Sequence, residues 1–160
     1  NHHLAALSFD DFKSRLIPFL DAFDLNYTQK NNADKIITAM RSSKPNLLGV
    51  AQDLSPYFSE LHSYDEKAVK KFLIGSEAVL EYVQRKLNGI EEWSESSIDN
   101  VLKETQAALS LQTPKLNQPI RIAMTGSTQS PSLGLTLSLF SREEANNRIN
   151  AALKYLGNLN

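Results

Sequence analysis

Cysteine is missing from all 160 residues, which excludes disulfides and thiolate metal sites. Histidine is scarce: His2, His3 and His62 are all there are. Adjacent residues cannot share one helical face, and no acid stands at ligand spacing from the pair, so no metal is expected. No apolar run approaches the roughly 20 residues of a membrane span. The first residues also lack the basic patch and apolar segment of a secretory leader. A soluble, cytoplasmic chain with no membrane partner is therefore expected. Dominance of either charge is missing too, since 17 Lys/Arg face 18 Asp/Glu for a net −1, a weak advertisement for nucleic-acid binding. Catalytic signatures are missing as well. Gly126–Gly134 lacks the Gly-Lys-Ser/Thr of a phosphate loop, and Ser127 and Ser130 sit in no Gly-x-Ser-x-Gly elbow. Glu91 and Glu92 beside Trp93 read as an exposed turn next to a buried tryptophan rather than an acid pair.

What is present is helical. Apolar residues at 41% and charged ones at 22% match globular averages and exclude wholesale disorder. Residues 4–25 carry Phe12, Leu16, Phe19, Leu20 and Phe23 at helical spacing, with Ser8 placed to cap and Pro18 expected to kink or shorten the helix. Ala33–Arg41 puts Ile36, Ile37 and Met40 on one face and ends before Pro45. A short helix begins at Leu47 and should stop near Pro56, with Tyr57 and Phe58 as core anchors. Glu66–Leu87 has the strongest three/four spacing and closes at Asn88–Gly89. Ser94 or Ser97 can cap a helix over Ile98–Leu109. Residues 110–118 read as loop, and Pro119 and Gly126 would delimit two turns of helix. Helices over Ser132–Phe140 and Ser141–Leu156 follow, the latter with a Ser141/Glu144 capping box.

Charge is unevenly spread. Residues 1–110 hold 12 Lys/Arg against 16 Asp/Glu, a net −4, whereas residues 111–160 hold 5 against 2, a net +3. The positive end contains Gln118–Leu135 (QPIRIAMTGSTQSPSLGL), in which one arginine stands among apolar residues before an uncharged Gly/Ser/Thr loop. Small hydroxyls and an amide between apolar segments give directional hydrogen bonds beside an apolar surface, which suits base reading better than catalysis. Each residue also has a plainer role. Arg121 could be an ion-paired helix arginine; Ser130, Pro131 and Leu133 a cap, a first-turn proline and a core leucine. Arg41 could offset the negative end of its helix dipole. Lys115, Arg142, Arg148 and Lys154 could be solvated charges or phosphate contacts.

Pro119, Arg121, Ala123, Thr125, Gly126, Ser130, Pro131 and Leu133 follow the Pro-x-Arg-x-Ala-x-Thr-Gly, polar loop, Ser/Thr-Pro and Leu-rich helix pattern. The chain thereby resembles the C-terminal anticodon-binding region of bacterial glutamyl-tRNA synthetases. The Asn1–Leu4 segment and the arginine-bearing stretch Arg142–Leu153 resemble the same family. The resemblance implies an all-α, monomeric module of two consecutive helical subdomains, 1–64 and 65–160. Its partner would be the anticodon stem-loop of glutamate tRNA, not DNA. Arg121 matches an arginine that contacts the third anticodon base, a cytosine; Ser130, Pro131 and Leu133 match positions enclosing the middle base, uracil. Arg41 (or Lys44) matches the reader of the first base. The parent enzyme would attach glutamate to its tRNA with ATP. Its ATP and magnesium signatures lie in a catalytic core that nothing here matches, so no cofactor, catalytic residue or stand-alone aminoacylation is expected. Two alternatives are a helical protein-interaction module without a nucleic-acid role and, more remotely, a small enzyme using the Gly/Ser loop.

Overall fold

The computed structural model describes residues 2–159, with side chains from residue 4 onward. Asn1 and the side chains of His2 and His3 lie outside the described residues, and with them part of the Asn1–Leu4 resemblance. Every regular element among the described residues is helical, as the periodicity predicts. The chain divides into two compact units, residues 1–60 and 61–160.

The first unit contains α1 (His2–Ala6), α2 (Phe9–Ala22), a 3₁₀ turn (Tyr27–Gln29), α3 (Ala33–Met40) and α4 (Leu47–Phe58). Helices α2 and α3 both pack on α4, burying Phe12, Leu16, Leu20, Ile36, Ile37, Val50 and Leu54. The stretch 4–25 that shows helical spacing is two helices, with Ser8 capping the second as its position suggests. Ser8 breaks it by turning extended and accepting the Asp11 N–H at 3.2 Å, which satisfies one of the orphan donors of a new helix start. Neither proline stops its helix. Pro18 and Pro56 lie inside α2 and α4, and the carbonyls they leave unbonded, those of Ser14 and Gln52, belong to exposed residues that water can reach. Continuing past Pro56 brings Tyr57 and Phe58 to 2% and 5% exposure. Burying two such aromatics at about 2 kcal/mol or more each outweighs the roughly 3 kcal/mol cost of an interior proline.

The second unit starts with α5 (Glu66–Ala68), which runs into a π-turn (Val69–Leu73), followed by α6 (Glu77–Asn88), α7 (Glu95–Ala108), α8 (Thr113–Thr125), α9 (Leu133–Ser138) and α10 (Arg142–Asn158). The helix expected over Glu66–Leu87 is interrupted. Ile74 N–H bonds the Val69 carbonyl at 3.0 Å, Gly75 takes φ +87°, and Ser76 Oγ donates to the Leu73 carbonyl at 2.6 Å. A left-handed glycine and a wide turn together end a helix that apolar spacing alone would continue. Helix α8 also begins earlier than expected, at Thr113. Pro114 occupies its first turn, where no N–H is needed, and Pro119 lies buried in its interior.

Helix α8 is the hub of this unit, packed against the π-turn, α6, α7, α9 and α10. Leu116, Ile120, Ile122, Ala123 and Met124 are therefore buried around its circumference, and Arg121 is the one charged side chain in its C-terminal half. Helix α9 lies against α7; a Cβ at Gly134 would collide with the Asp99 carboxylate, which accounts for a glycine inside a helix. Ser94 caps α7. Both halves of the Ser141/Glu144 capping box are present, at 3.0 and 2.9 Å.

Candidate functional site

The bend between α8 and α9 begins at Gly126, whose φ of +84° ends α8. Its N–H bonds the Ile122 carbonyl at 2.8 Å, and its own carbonyl accepts the Asp65 N–H at 2.8 Å. The segment 61–65 passes so close that a Cβ at Gly126 would lie 2.8 Å from the Ser63 carbonyl oxygen. Glycine is thus required twice, by conformation and by approach. Thr125 Oγ1 lies 2.9 and 3.1 Å from the carbonyls of Arg121 and Ser127, sharing its one proton between them, and Ser127 Oγ accepts the Gln129 N–H at 3.2 Å.

Beyond it, Arg121, Ser130, Pro131 and Thr136 form one network. Arg121 Nε donates to Ser130 Oγ at 2.9 Å, and Nη2 reaches the Pro131 carbonyl at 3.4 Å. Ser130 Oγ donates to the Pro131 carbonyl at 2.9 Å. Thr136 Oγ1 lies 3.0 Å from Ser130 Oγ and 3.1 Å from the Pro131 carbonyl, so its one proton can serve either. A serine hydroxyl offers one proton and two lone pairs, and here all three are engaged. The Pro131 carbonyl, by contrast, has three donor atoms within reach, those of Ser130, Arg121 and Thr136. The main-chain N–H groups of Thr128 and Ser130 donate to no group among the described residues. Residues 127–132 are all at least partly exposed. The bend therefore offers uncharged donors at a surface, held from behind by a half-buried guanidinium.

Three other arginines are occupied differently. Arg41 Nη2 donates to the carbonyls of Leu4 and Leu7 at 3.0 and 2.9 Å, and its guanidinium lies 4.6 Å from the Phe12 ring centre. Arg142 donates to the carbonyls of Leu87 and Asn88 at 3.2 and 3.0 Å, against the face of Trp93. That indole is half-buried and donates to the Phe140 carbonyl at 2.9 Å. Arg148 donates to the Met124 carbonyl and covers the Phe140 ring at 4.7 Å. All three brace helix ends that leave carbonyls over. Burial pushes the Tyr64 phenol above its ordinary value; nearby Arg148 pulls it back, and Tyr155, 4.7 Å away ring to ring, adds to the rise.

A family profile described as the anticodon binding domain matches residues 11–153. The chain belongs to that family. Among relatives of this anticodon-binding chain, the glutamate–tRNA ligase of Myxococcus xanthus is 36% identical over 141 residues, 87% of this chain and 29% of that protein. That of Xanthomonas axonopodis is 36% identical over 126 residues, 78% of this chain and 27% of its own length. The chain thus spans less than a third of the length of these ligases. The fold matches a crystal structure of a glutamate–tRNA ligase from Elizabethkingia meningosepticum with a TM-score of 0.85 at 20% identity, covering 97% of this chain and 31% of that one.

Against this family background, the structure brings Arg121, Ser130 and Pro131 together. Leu133 is 3% exposed and sits in the core at the start of α9. Arg41 lies in the other unit, at a cleft of about 310 Å³ that Leu4, Ser43, Lys44 and Pro45 also line; Lys44 pairs with Asp53 at 2.7 Å. Lys115 and Lys154 are exposed. Thr136 escapes sequence inspection. Its one signal is a hydroxyl inside the leucine stripe LGLTLSLF, six residues after Ser130.

Proposed function

We propose that these residues are the C-terminal anticodon-binding part of a cytoplasmic glutamate–tRNA ligase and that the α8–α9 bend reads bases of the glutamate-tRNA anticodon. The observation that carries this is the partly exposed, uncharged bend with unengaged main-chain donors at Thr128 and Ser130, organised by Arg121, in a chain of the anticodon binding domain family. Bases splayed from a loop expose carbonyl acceptors. The Thr128 and Ser130 N–H groups can meet those of the middle base, with Pro131 against its face and Leu133 fixing the bend from the core. Arg121 contacts the third base. Arg41 shapes the first-base cleft while bracing α1, and Lys44 stands at its rim. Lys115 and Lys154 contact phosphates; Arg142 and Arg148 add positive charge there while holding helix ends. The module acts as a monomer. Attachment of glutamate, with ATP and magnesium, belongs to the part of such a ligase outside these residues, and the role of this part is to place the tRNA.

The test is filter binding of the chain to anticodon stem-loops that differ only in the third base. Arg121→Ala should weaken binding to the cytosine-ending loop by about 1–3 kcal/mol, the range of a bidentate base contact, and leave the other loops nearly unchanged. An equal loss for every loop would refute base contact by Arg121. Binding indifferent to salt as well as to sequence would point instead to a protein-docking module.

A further inference from the structure

We infer that Thr136 is a positioning residue that makes the Ser130 proton available to a base, and that the bend works as a hydroxyl relay. This rests on the proposal that the bend reads bases. In the structure the Ser130 proton is directed at the Pro131 carbonyl, so the hydroxyl that should address a base is already engaged. Leaving a half-buried carbonyl with only the long 3.4 Å bond from Arg121 would oppose its release. Thr136 removes that obstacle. Its side chain is 0% exposed, so it has no alternative partner in solvent, and its hydroxyl bonds the same carbonyl at 3.1 Å. When Ser130 Oγ rotates its proton towards a base acceptor, Thr136 turns its one proton from Ser130 Oγ to the Pro131 carbonyl, which then has Thr136 and Arg121 as donors. Ser130 Oγ itself stays in place because Arg121 Nε donates into it at 2.9 Å whichever way the two hydroxyl protons point. The proton moves while the oxygen remains fixed. Directional reading by a small hydroxyl needs that combination, and neither Ser130 nor Pro131 supplies it alone.

The experiment measures binding of the chain to stem-loops carrying uracil or cytosine at the middle anticodon position, and takes the ratio of the two affinities. Thr136→Val keeps the shape and removes the hydroxyl; it should reduce the ratio about five- to tenfold, the scale of one hydrogen bond. Thr136→Ser should restore it. In a Ser130→Ala background, Thr136→Val should change the ratio no further, because the two hydroxyls act as a unit. An unchanged ratio in Thr136→Val, or the same reduction with and without Ser130, would overturn the relay. Thr136→Ala replaces Thr136→Val if circular dichroism shows the valine variant unfolded. If neither hydroxyl-free variant folds, Thr136 is a structural residue and the inference is lost. A wild-type chain that binds neither loop, or both equally, would instead refute base reading itself, and the relay with it.

Discussion

Two corners of the molecule each place an arginine by the end of a helix, Arg41 after α3 and Arg121 in the last half of α8, and they use it in opposite ways. Arg41 bonds two main-chain carbonyls and lies over Phe12. Its partners cannot rotate, so the guanidinium is a brace. Arg121 bonds a serine hydroxyl as well as a carbonyl, and a hydroxyl can redirect its proton without moving its oxygen. The residue type is the same, and the partner decides whether the corner is fixed or adjustable. The helix ends differ in kind as well. At α3 the capping residue Arg41 keeps helical angles, whereas α8 ends on a left-handed glycine.

The largest effect expected is at that glycine. Gly126→Ala meets both a positive φ and the Ser63 carbonyl at 2.8 Å. The two together should cost about 3 kcal/mol, beyond what a left-handed alanine alone would cost. Urea denaturation measures it; a loss below about 1 kcal/mol would mean that the segment 61–65 yields easily. At the other corner, Arg41→Met keeps the contact with Phe12 and removes both carbonyl bonds. A stability loss of about 2 kcal/mol follows, with discrimination at the third anticodon base untouched. If Arg41→Met altered that discrimination as Arg121→Ala does, the contrast between brace and reader would collapse.

The sequence makes the fixed parts of this contrast easier to see than the adjustable one. Gly126 as a helix end and the Ser141/Glu144 box are local patterns, and both stand where spacing puts them. The break at Gly75 is hidden because Leu73, Ser76 and Val79 keep helical spacing across it, and left-handed backbone leaves no mark on an apolar pattern. Pro18 and Pro56 mislead in the other direction: their cost depends on whether water reaches the carbonyl four residues back, which only burial reveals. Arg121, Ser130 and Pro131 are visible in the uncharged bend. Thr136 is not, since its meeting with Ser130 depends on how the chain folds back between α8 and α9. Nor do Arg142 and Arg148 betray in sequence that main-chain carbonyls engage them.

Lys115 should show a small effect of unusual sign. It sits in the first turn of α8, which has no acidic residue, where the positive end of the helix dipole disfavours a cation. Lys115→Ala should therefore leave the fold unchanged or more stable by about 0.3 kcal/mol, while weakening binding to all stem-loops alike and lowering the salt dependence. Thermal melts and binding across a salt series check the two halves. A destabilised variant with unchanged binding would return Lys115 to the ordinary surface.

The smallest effect tests the support behind the Gly126 corner. The segment 61–65 that presses on Gly126 carries Tyr64, whose phenol is raised by burial first, with Arg148 opposing and Tyr155 adding. Because the folded value exceeds the unfolded one of 10.0, the folded state holds its proton longer. Its contribution is complete below pH 10 and disappears as pH rises through the folded value. Wild type should thus lose stability more steeply than Tyr64→Phe as the solution is taken above pH 10, read by urea denaturation at successive pH values. Parallel curves would mean that the phenol ionises as freely folded as unfolded. The segment over Gly126 would then be looser than the close approach of the Ser63 carbonyl implies, and the two corners less different than their arginines suggest.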